Sequence, residues 1–230
     1  NDNLSRPKFA IMNPDLTLTL PYYQTACGCV DILMHTMERY FVHGEAMEIT
    51  DSIAEALMRT TMANAKILKK DGQNYKARAD VMWASSLSHN GLTGCGQGNG
   101  DWATHGLEHE LSALYDVSHG AGLAAIWGSW ARYVHKECLP RFKKFATNVM
   151  GVNEENLSDE EVAIKGIEAM EAFYRSIDMP TSIKELGISP TEKELELMAH
   201  KCSLVAGGSK GIAKVLHEND MLEIYKMANK

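Results

Sequence analysis

The stretch DWATHGLEHELSALYDVSHG, residues 101–120, holds three of the nine histidines of this 230-residue chain. His105 and His109 are spaced i, i+4, so on a helix they share one face. His119 lies further along, and on one continuous helix it would be about 21 Å from His105. Ligands of one metal ion must lie within about 4 Å of each other, because metal–nitrogen bonds are near 2 Å. If His105 and His119 bind one ion, the chain must turn between them.

The segment 115–120, YDVSHG, supplies a turn at the required place. Asp116 and Ser118 are both favourable residues at the start of a helix, and the glycine that follows is conformationally permissive. We therefore predict two helices that run antiparallel or cross steeply, with His119 at the start of the second. This arrangement returns His119 to the face that carries His105.

A second i, i+4 pair, Asp31 and His35, lies upstream in the segment CVDILMH. A carboxylate and an imidazole one helical turn apart can chelate one ion. Together with His105 and His119 they form a set of nitrogen and oxygen donors that suits Fe²⁺, Zn²⁺ or another first-row divalent metal. If one coordination position stays open, such an ion is a catalytic Lewis acid. Spacing alone also leaves open that these four residues are unrelated to one another.

The other histidines have no such neighbours in the sequence, and we interpret them as structural. They are His43, His89, His135, His200 and His217. The glycine-rich segment 94–100, GCGQGNG, follows a predicted helix rather than a strand. A dinucleotide-binding loop needs a preceding strand in a βαβ unit, so we interpret this segment as a connector.

Composition restricts the classes of protein to which the chain can belong. Hydrophobic residues make up 45% of it, enough for a sizeable core, and its net charge of −7 comes without a strongly basic segment. These features argue against nucleic acid and against an anionic membrane surface as partners. No apolar run reaches the roughly 18 residues of a membrane span. The scattered, odd-numbered cysteines predict buried free thiols in a cytoplasmic protein; they are Cys27, Cys29, Cys95, Cys138 and Cys202.

After the first twenty residues, nearly the whole chain has the apolar spacing of helices, interrupted by Gly and Pro. Capping sequences predict three helix starts, at Ser52, Ser158 and Ser189. We predict an all-α, helical bundle-like domain over residues 21–230, with about seven to nine helices. Its first helix is predicted from about Tyr23 to Val42, with a stop at His43-Gly44.

Residues 1–20 have a different pattern from the rest of the chain. Their apolar positions alternate on both sides of the turn signal Asn13-Pro14-Asp15, which predicts a short extended segment, or one or two strands. The chain also begins with Asn1 rather than Met. We therefore expect residues 1–20 to be the end of a preceding domain that this chain lacks.

At these residues the sequence resembles the iron-containing, or group III, alcohol dehydrogenase family, and most of all its NAD(P)-dependent butanol dehydrogenase branch. Three segments carry the resemblance: KFAIMNPDLTLTLPYYQTACGCVDILMHTMERYF from residue 8, MWASSLSHNGLTGCG from residue 82, and DWATHGLEHELSALYDVSHGAGLAAIWGSW from residue 101. The resemblance covers most of the chain, with the best motifs between residues 8 and 136.

The resemblance implies the metal ligands Asp31, His35, His105 and His119, the same four that spacing selects. It also implies that His109 lies near the metal and the nicotinamide and takes part in catalysis or proton transfer. Related sugar-phosphate cyclases and glycerol dehydrogenases use three protein ligands, so four ligands favour the alcohol dehydrogenase branch. The implied fold is a dehydroquinate synthase-like C-terminal domain, preceded in the family by a nucleotide-binding domain.

The function implied is that of a metal-dependent, NAD(P)-linked oxidoreductase that interconverts primary alcohols and aldehydes by hydride transfer, with Fe²⁺ or Zn²⁺. Its expected partners are a small alcohol or aldehyde, the N-terminal nucleotide-binding domain and a second copy in a homodimer. Because this chain holds only the metal half, we expect it to be inactive alone. Two alternatives are a helical metal-dependent hydrolase, such as a phosphohydrolase, and a non-enzymatic interaction module. Phosphohydrolase sites usually carry an adjacent His-Asp pair, which this sequence lacks.

Overall fold

The computed structural model describes residues 7–43 and 47–230 and forms nine α-helices within them. These are α1 Tyr22–Tyr40, α2 Glu48–Lys70, α3 Tyr75–His89, α4 Ala103–Tyr115, α5 His119–Val134, α6 Leu139–Asn148, α7 Asp159–Ser176, α8 Glu192–Val205 and α9 Glu218–Ala228. The described residues contain no β-strand, only an isolated bridge between Lys210 and Leu216. The predicted all-α class and the predicted number of helices are confirmed.

Helix α5 lies at the centre of the core. It is apolar on all sides, as expected of a buried helix, and 13 of its 16 residues are buried. It packs against α1, α4, α7 and α9. The ring of Trp127 lies 6.1 Å from that of Tyr174 on α7, and the ring of Trp130 lies 6.0 Å from that of Phe142 on α6. A side chain at the start of α5 is therefore held by the core of the whole domain.

Helices α1 and α5 approach each other closely at Gly120. A Cβ atom at this position would lie 2.1 Å from the carbonyl oxygen of Cys27 on α1. Only glycine fits such an approach, because any side chain there would overlap backbone atoms. Asp31 lies one turn after Cys27 on α1, so this contact brings Asp31 towards His119, which precedes Gly120.

Two of the three predicted capping boxes are wrong. Ser52 lies inside α2, which begins at Glu48, so it caps nothing. Glu55, the intended partner of Ser52, is buried and instead accepts hydrogen bonds from the Tyr40 hydroxyl, at 2.8 Å, and from the Asn148 amide, at 3.0 Å. A Ser-x-x-Glu pattern on a helix surface does not mark a helix start when the preceding turn is also helical.

The start of α8 lies two residues later than predicted. Thr191, not Ser189, is the N-cap of α8, and its hydroxyl and the carboxylate of Glu194 form the reciprocal capping box. The competing pattern at Ser189 overlaps this one in sequence, and the two cannot both cap one helix. The predicted capping box of Ser158 with Glu161 on α7 is confirmed.

The described part of the N-terminal segment, residues 7–20, contains no strand. The predicted turn is confirmed, because the Asn13 side chain accepts a hydrogen bond from the backbone N–H of Asp15 at 3.0 Å, and Pro14–Thr17 forms one turn of 3₁₀ helix. The predicted strands do not form there, because a strand needs partners and this segment has none. Residues 1–6 lie outside the described residues, and the assignment of residues 1–20 to a preceding domain stays a prediction.

The first helix, α1, ends at Tyr40, two residues earlier than predicted, and Gly44 of the predicted stop lies outside the described residues. Across the described ranges, no helix combines the length and the apolar character needed to cross a membrane. All five cysteines lie in the described ranges and are free, and four of them are buried. The prediction of a buried thiol is wrong for Cys95, which is exposed in the loop between α3 and α4.

Candidate metal centre

Three histidine side chains approach one oxygen atom of Asp31. Oδ1 of Asp31 lies 3.3 Å from Nε2 of His105, 3.5 Å from Nε2 of His119 and 3.6 Å from Nε2 of His35. In a tetrahedral site with bonds of about 2.1 Å, two ligand atoms are about 3.4 Å apart. The three separations from Asp31 match that spacing, and the donor set of nitrogen and oxygen fits Fe²⁺ or Zn²⁺.

The chain turns between His105 and His119 at the predicted place. Helix α4 ends at Tyr115, and Asp116 then adopts a left-handed conformation with φ of 52°. Ser118 is the N-cap of α5, and His119 is the first residue of that helix. The turn brings the ring centroids of His105 and His119 to 5.2 Å.

The four predicted ligands do not form one uniformly tight cluster. Donor atoms of Asp31, His105 and His119 lie within 4.8 Å of one another, and donor atoms of Asp31, His35 and His89 form a second such group. Asp31 belongs to both groups. The ring of His35 lies 4.6 Å from that of His105, so the two groups adjoin. The structure thus brings the predicted four residues together and adds His89 to them.

Sequence reasoning did not find His89 as a site residue. His89 is the last residue of α3, and its Nε2 lies 3.3 Å from Oδ2 of Asp31. Its ring centroid lies 3.8 Å from that of His35. No local pattern around His89 signals this placement, because it depends on how α3 packs against α1.

Two buried glutamates bind the outer nitrogens of two histidines. The carboxylate of Glu38 on α1 binds Nδ1 of His105 and accepts the backbone N–H of the same residue at 3.1 Å. The carboxylate of Glu108 on α4 binds Nδ1 of His119. The side chains of Glu38 and Glu108 are only 1% and 0% exposed. A carboxylate on Nδ1 fixes the ring and directs its Nε2 towards Asp31, an arrangement that is usual for metal-binding histidines.

Glu38 and Glu108 were not found by sequence reasoning either, although a signal exists for both. Glu38 follows His35 by three residues on α1, and Glu108 follows His105 by three residues on α4. Residues at that spacing lie side by side on a helix. A carboxylate three residues after a candidate ligand is therefore worth testing as the partner of a histidine on another helix.

Comparison with known proteins identifies the family. The profile described as "Fe-containing alcohol dehydrogenase family, C-terminal" matches residues 25–229. The chain belongs to this family. The NADH-dependent butanol dehydrogenase A of Clostridium acetobutylicum is 39% identical over 222 residues, which are 96% of this chain and 56% of that protein.

Solved structures of the iron-containing alcohol dehydrogenase family share the fold of this chain. The NADH-dependent butanol dehydrogenase A of Thermotoga maritima superposes with a TM-score of 0.90 at 37% identity, over 97% of this chain and 56% of that one. The aldehyde reductase YqhD from E. coli superposes with a TM-score of 0.90 at 29% identity, over 97% of this chain and 57% of that one. The chain spans about half the length of the curated relatives it matches.

His109, which the resemblance marks as catalytic, lies beside the four candidate ligands on the exposed side of α4. Its ring centroid lies 5.5 Å from that of His119 and 6.0 Å from that of His105. Burial lowers the pKa of His109, and the neighbouring histidines lower it further against the opposing effect of Glu108. His109 is therefore largely uncharged near neutral pH and able to accept a proton.

The carboxyl group of Asp31 is held in its charged form. Burial by itself would raise the pKa of Asp31, but hydrogen bonds with His105, His119 and His89 outweigh burial and hold that pKa far below its usual range. Burial lowers the pKa of His35 to about 3, although Asp31 opposes that effect. Asp31 is thus a carboxylate and His35 a neutral imidazole, and these are the forms in which such groups bind metal ions.

The other two histidines hold protons when no metal is bound. Burial lowers the pKa of His105, but hydrogen bonds to Asp31 and Glu38 raise it to about 9 overall. Hydrogen bonds to Asp31 and Glu108 raise the pKa of His119 to about 10. A metal ion needs the lone pair on Nε2 of each ring, so it must displace these protons.

We expect the affinity of the chain for Zn²⁺ to rise steeply with pH between about pH 6 and about pH 8. Each proton displaced from His105 or His119 contributes about tenfold in the apparent Kd for every pH unit. Competition with a chromogenic chelator across this range should show about a tenfold to hundredfold gain per unit. An affinity that does not depend on pH would contradict the displacement of protons from these two histidines.

The folding stability of the metal-free chain should change with pH in the opposite direction. The pKa values of His105 and His119, about 9 and about 10, are raised above the value of about 6.5 expected in the unfolded chain. Their stabilising contribution is therefore complete below about pH 6.5 and lost as pH rises through about 9 to 10. Thermal unfolding in the presence of a chelator measures this contribution without the metal.

Proposed function

We propose that this chain is the metal-binding half of an NAD(P)-linked oxidoreductase that interconverts primary alcohols and aldehydes. The observation that carries the proposal is the approach of three imidazoles, those of His35, His105 and His119, to one oxygen of Asp31 at 3.3 to 3.6 Å. The curated relatives include NADH-dependent butanol dehydrogenases and an NADPH-dependent aldehyde reductase, which supports this reaction class over a hydrolase.

Asp31, His35, His105 and His119 would hold Fe²⁺ or Zn²⁺, the metals that this donor set suits. One carboxylate and three neutral imidazoles leave a divalent centre with a net charge of about +1. When bound, such an ion would act as a Lewis acid that polarises the oxygen of an alcohol or aldehyde. The chain's own contribution is to fix the four donor atoms before the ion arrives.

The outer carboxylates would keep the metal-binding rings in place during the reaction. Glu38 binds the outer nitrogen of His105, and Glu108 binds that of His119. Because both carboxylates are buried, water does not compete for these hydrogen bonds, and the rings cannot rotate away without leaving a buried charge unpaired. The Ser112 hydroxyl donates a further hydrogen bond to Glu108.

His109 would move the proton of the substrate hydroxyl. It lies next to His119 on the exposed side of the candidate metal centre, where a substrate has access. A group that accepts a proton must be unprotonated at the working pH, and it works best when its pKa is near that pH. The lowered pKa of His109 meets that condition.

The nucleotide would bind outside this chain. When bound, the nicotinamide exchanges a hydride with the substrate carbon. We propose that its binding residues belong to an N-terminal domain joined to residues 1–20. Phe9, Ile11 and Leu16 in that segment expose 78%, 85% and 79% of their surface, which supports a further surface packed against them. A homodimer and a cytoplasmic location stay predictions.

The activity test compares this chain with the same chain joined to the proposed N-terminal domain. The 230-residue chain is expected to bind a divalent ion and to show little or no oxidation of NADH or NADPH with butyraldehyde, because we propose that the nucleotide binds in the N-terminal domain. The longer protein is expected to catalyse that reaction. It is expected to lose this activity when a chelator removes its metal ion. Robust turnover by residues 1–230 alone would contradict the proposal that this chain binds the metal and an N-terminal domain binds the nucleotide. A longer protein that binds metal and both nucleotides yet reduces no aldehyde would contradict the reaction.

A further inference from the structure

We propose that Trp102 is a positioning residue that orients the ring of His35 for metal binding, an inference that rests on the proposed function of the centre. The other two candidate histidine ligands each have a buried carboxylate on Nδ1. Nδ1 of His35 is also buried, but it has no hydrogen-bond partner among the described residues. A contact other than a hydrogen bond must therefore fix the direction in which Nε2 of His35 points.

The indole ring of Trp102 packs against the imidazole of His35. Their ring centroids lie 5.2 Å apart, and the ring planes meet at 75°. The indole also lies 5.5 Å from the ring of His105, at 60°. Edge-to-face contacts of this kind are favourable and depend on orientation. The ring of His89 lies 3.8 Å from that of His35 as well, so two neighbouring rings oppose a rotation of His35.

Trp102 has an unusual backbone conformation. It is the N-cap of α4, and its φ of 59° and ψ of 15° lie in the left-handed region, where bulky residues are rare. Such conformations persist only where the surroundings impose them, and they concentrate at functional sites. An N-cap side chain usually accepts a backbone N–H of its helix. Here Asp101 accepts the N–H of Ala103, at 3.0 Å, and the ring of Trp102 lies against His35 instead.

Arg39 joins Trp102 to the helix that carries His35. Its guanidinium carbon lies 4.7 Å from the centroid of the Trp102 ring, within the range of a cation–π contact. The same guanidinium donates hydrogen bonds to the carbonyl oxygen of His35, at 2.8 Å, and to that of Ser88, at 2.7 Å. The indole is thus held in place by a side chain of α1 that is itself fixed to two helix ends around the centre.

The glycine-rich segment 94–100 is shaped to fit the indole of Trp102. Nε1 of Trp102 donates a hydrogen bond to the carbonyl oxygen of Asn99. Gly100 has a φ of 85°, and a Cβ atom there would lie 2.9 Å from Nε1 of Trp102 and 3.2 Å from the carbonyl oxygen of Glu38. Only glycine allows the chain to pass between the indole and α1. The segment therefore places Trp102 in addition to connecting two helices.

A role in the hydrophobic core alone fits Trp102 less well. Trp102 is half-buried and lies outside the main hydrophobic cluster, which holds Trp127 and Trp130. The ring and cation contacts of Trp102 are with His35, with His105 and with an arginine of α1. We therefore expect a substitution of Trp102 to change the metal centre more than the core.

The first test measures Zn²⁺ affinity by chelator competition for the wild-type chain, Trp102→Leu, Trp102→Phe and Trp83→Leu. Leucine has no flat ring, so we expect Trp102→Leu to lose about tenfold in affinity, as is usual when a partner of a metal-binding histidine is removed. Phenylalanine keeps a flat ring and should stay within about threefold of the wild type. Trp83→Leu is the matched control, because Trp83 is 54% exposed on α3, and it should bind Zn²⁺ as the wild type does.

The Co²⁺-loaded chain shows whether the ligand geometry changes. The visible absorption of Co²⁺ depends on the arrangement of its ligands. We expect Trp102→Leu to shift or broaden the band, Trp102→Phe to restore it and Trp83→Leu to leave it unchanged. A residue needed only for stability would lower the melting temperature in the presence of a chelator without altering the band. A Trp102→Leu chain with the wild-type band and an affinity within about twofold of the wild type would overturn the proposal.

A measurement on the wild type covers the case in which Trp102→Leu does not fold. Nuclear Overhauser effects between the indole protons of Trp102 and the ring protons of His35 should appear in the Zn²⁺-loaded chain, and their absence would overturn the proposal. A wild-type chain that binds no metal would overturn the proposed function as well. Equal affinity and equal Co²⁺ bands in the wild type and Trp102→Leu would overturn the role of Trp102 alone.

Discussion

Replacing both His105 and His119 with alanine is expected to abolish stoichiometric metal binding by the chain. Their Nε2 atoms lie 3.3 Å and 3.5 Å from Oδ1 of Asp31, and both belong with Asp31 to one group of donor atoms that lie within 4.8 Å of one another. Without them, only Asp31 and His35 of the four candidate ligands would remain to bind the ion. We expect the affinity for Zn²⁺ to fall by at least about a thousandfold, since structural and catalytic sites depend on a nearly complete ligand set. Metal analysis after dialysis measures this loss directly.

The matched control removes two imidazoles from elsewhere on the surface. His200 and His217 are both exposed. The double variant His200→Ala, His217→Ala should keep the metal content of the wild type. If the wild type and the His105→Ala, His119→Ala variant hold equal and negligible metal, the candidate centre does not bind metal and the proposed function fails with it.

A second pair of substitutions separates loss of metal binding from loss of folding. Alanine at His105 and His119 would leave the buried carboxylates of Glu38 and Glu108 without their imidazole partners, which is strongly destabilising. Glutamine at both positions keeps an N–H donor for each glutamate. The variant His105→Gln, His119→Gln is therefore expected to keep more of the wild-type melting temperature than the alanine variant, and to lose metal to the same extent.

The parts of this centre that sequence could predict are those set by local spacing. The turn between His105 and His119 follows from the length of a helix and from Asp116 and Ser118, all within one short segment. The pairing of Asp31 with His35 follows from one helical turn. For the same reason the apolar helix after His119 could be recognised as buried without any knowledge of its neighbours.

The parts that sequence reasoning did not find are set by the packing of distant helices. Glu38 and His105 are 67 positions apart, and Asp31 and His89 are 58 apart. No periodic pattern joins residues at such separations, so these pairs appear only once α1, α3 and α4 are placed. The two wrong predictions of helix starts have another cause. The Ser52 and Ser189 capping patterns are short enough to occur inside or just before a helix that begins elsewhere.

Gly120→Ala is expected to destabilise the chain by about 3 kcal/mol or more, or to prevent folding, which is a large effect for one added methyl group. A Cβ at this position would lie 2.1 Å from the carbonyl oxygen of Cys27 and 2.6 Å from its carbonyl carbon and Cα. These are backbone atoms inside α1, so no side-chain rotation relieves the overlap. Helix α1 would have to move away from α5 by at least about 1.3 Å to reach ordinary contact distance.

The same movement should weaken metal binding, because Asp31 lies on α1 and His119 lies at the start of α5. Their donor atoms are 3.5 Å apart, and such a shift would exceed the tolerance of a metal site. Gly28→Ala is the matched control on α1, next to Cys27, since a Cβ there has nothing within 4 Å. It should raise the free energy of unfolding by up to about 1 kcal/mol through helix propensity and leave Zn²⁺ affinity unchanged. Urea unfolding measures the stability of both variants, and chelator competition measures their Zn²⁺ affinity. A Gly120→Ala chain with wild-type stability and wild-type affinity would show that the contact between α1 and α5 does not hold the ligands together.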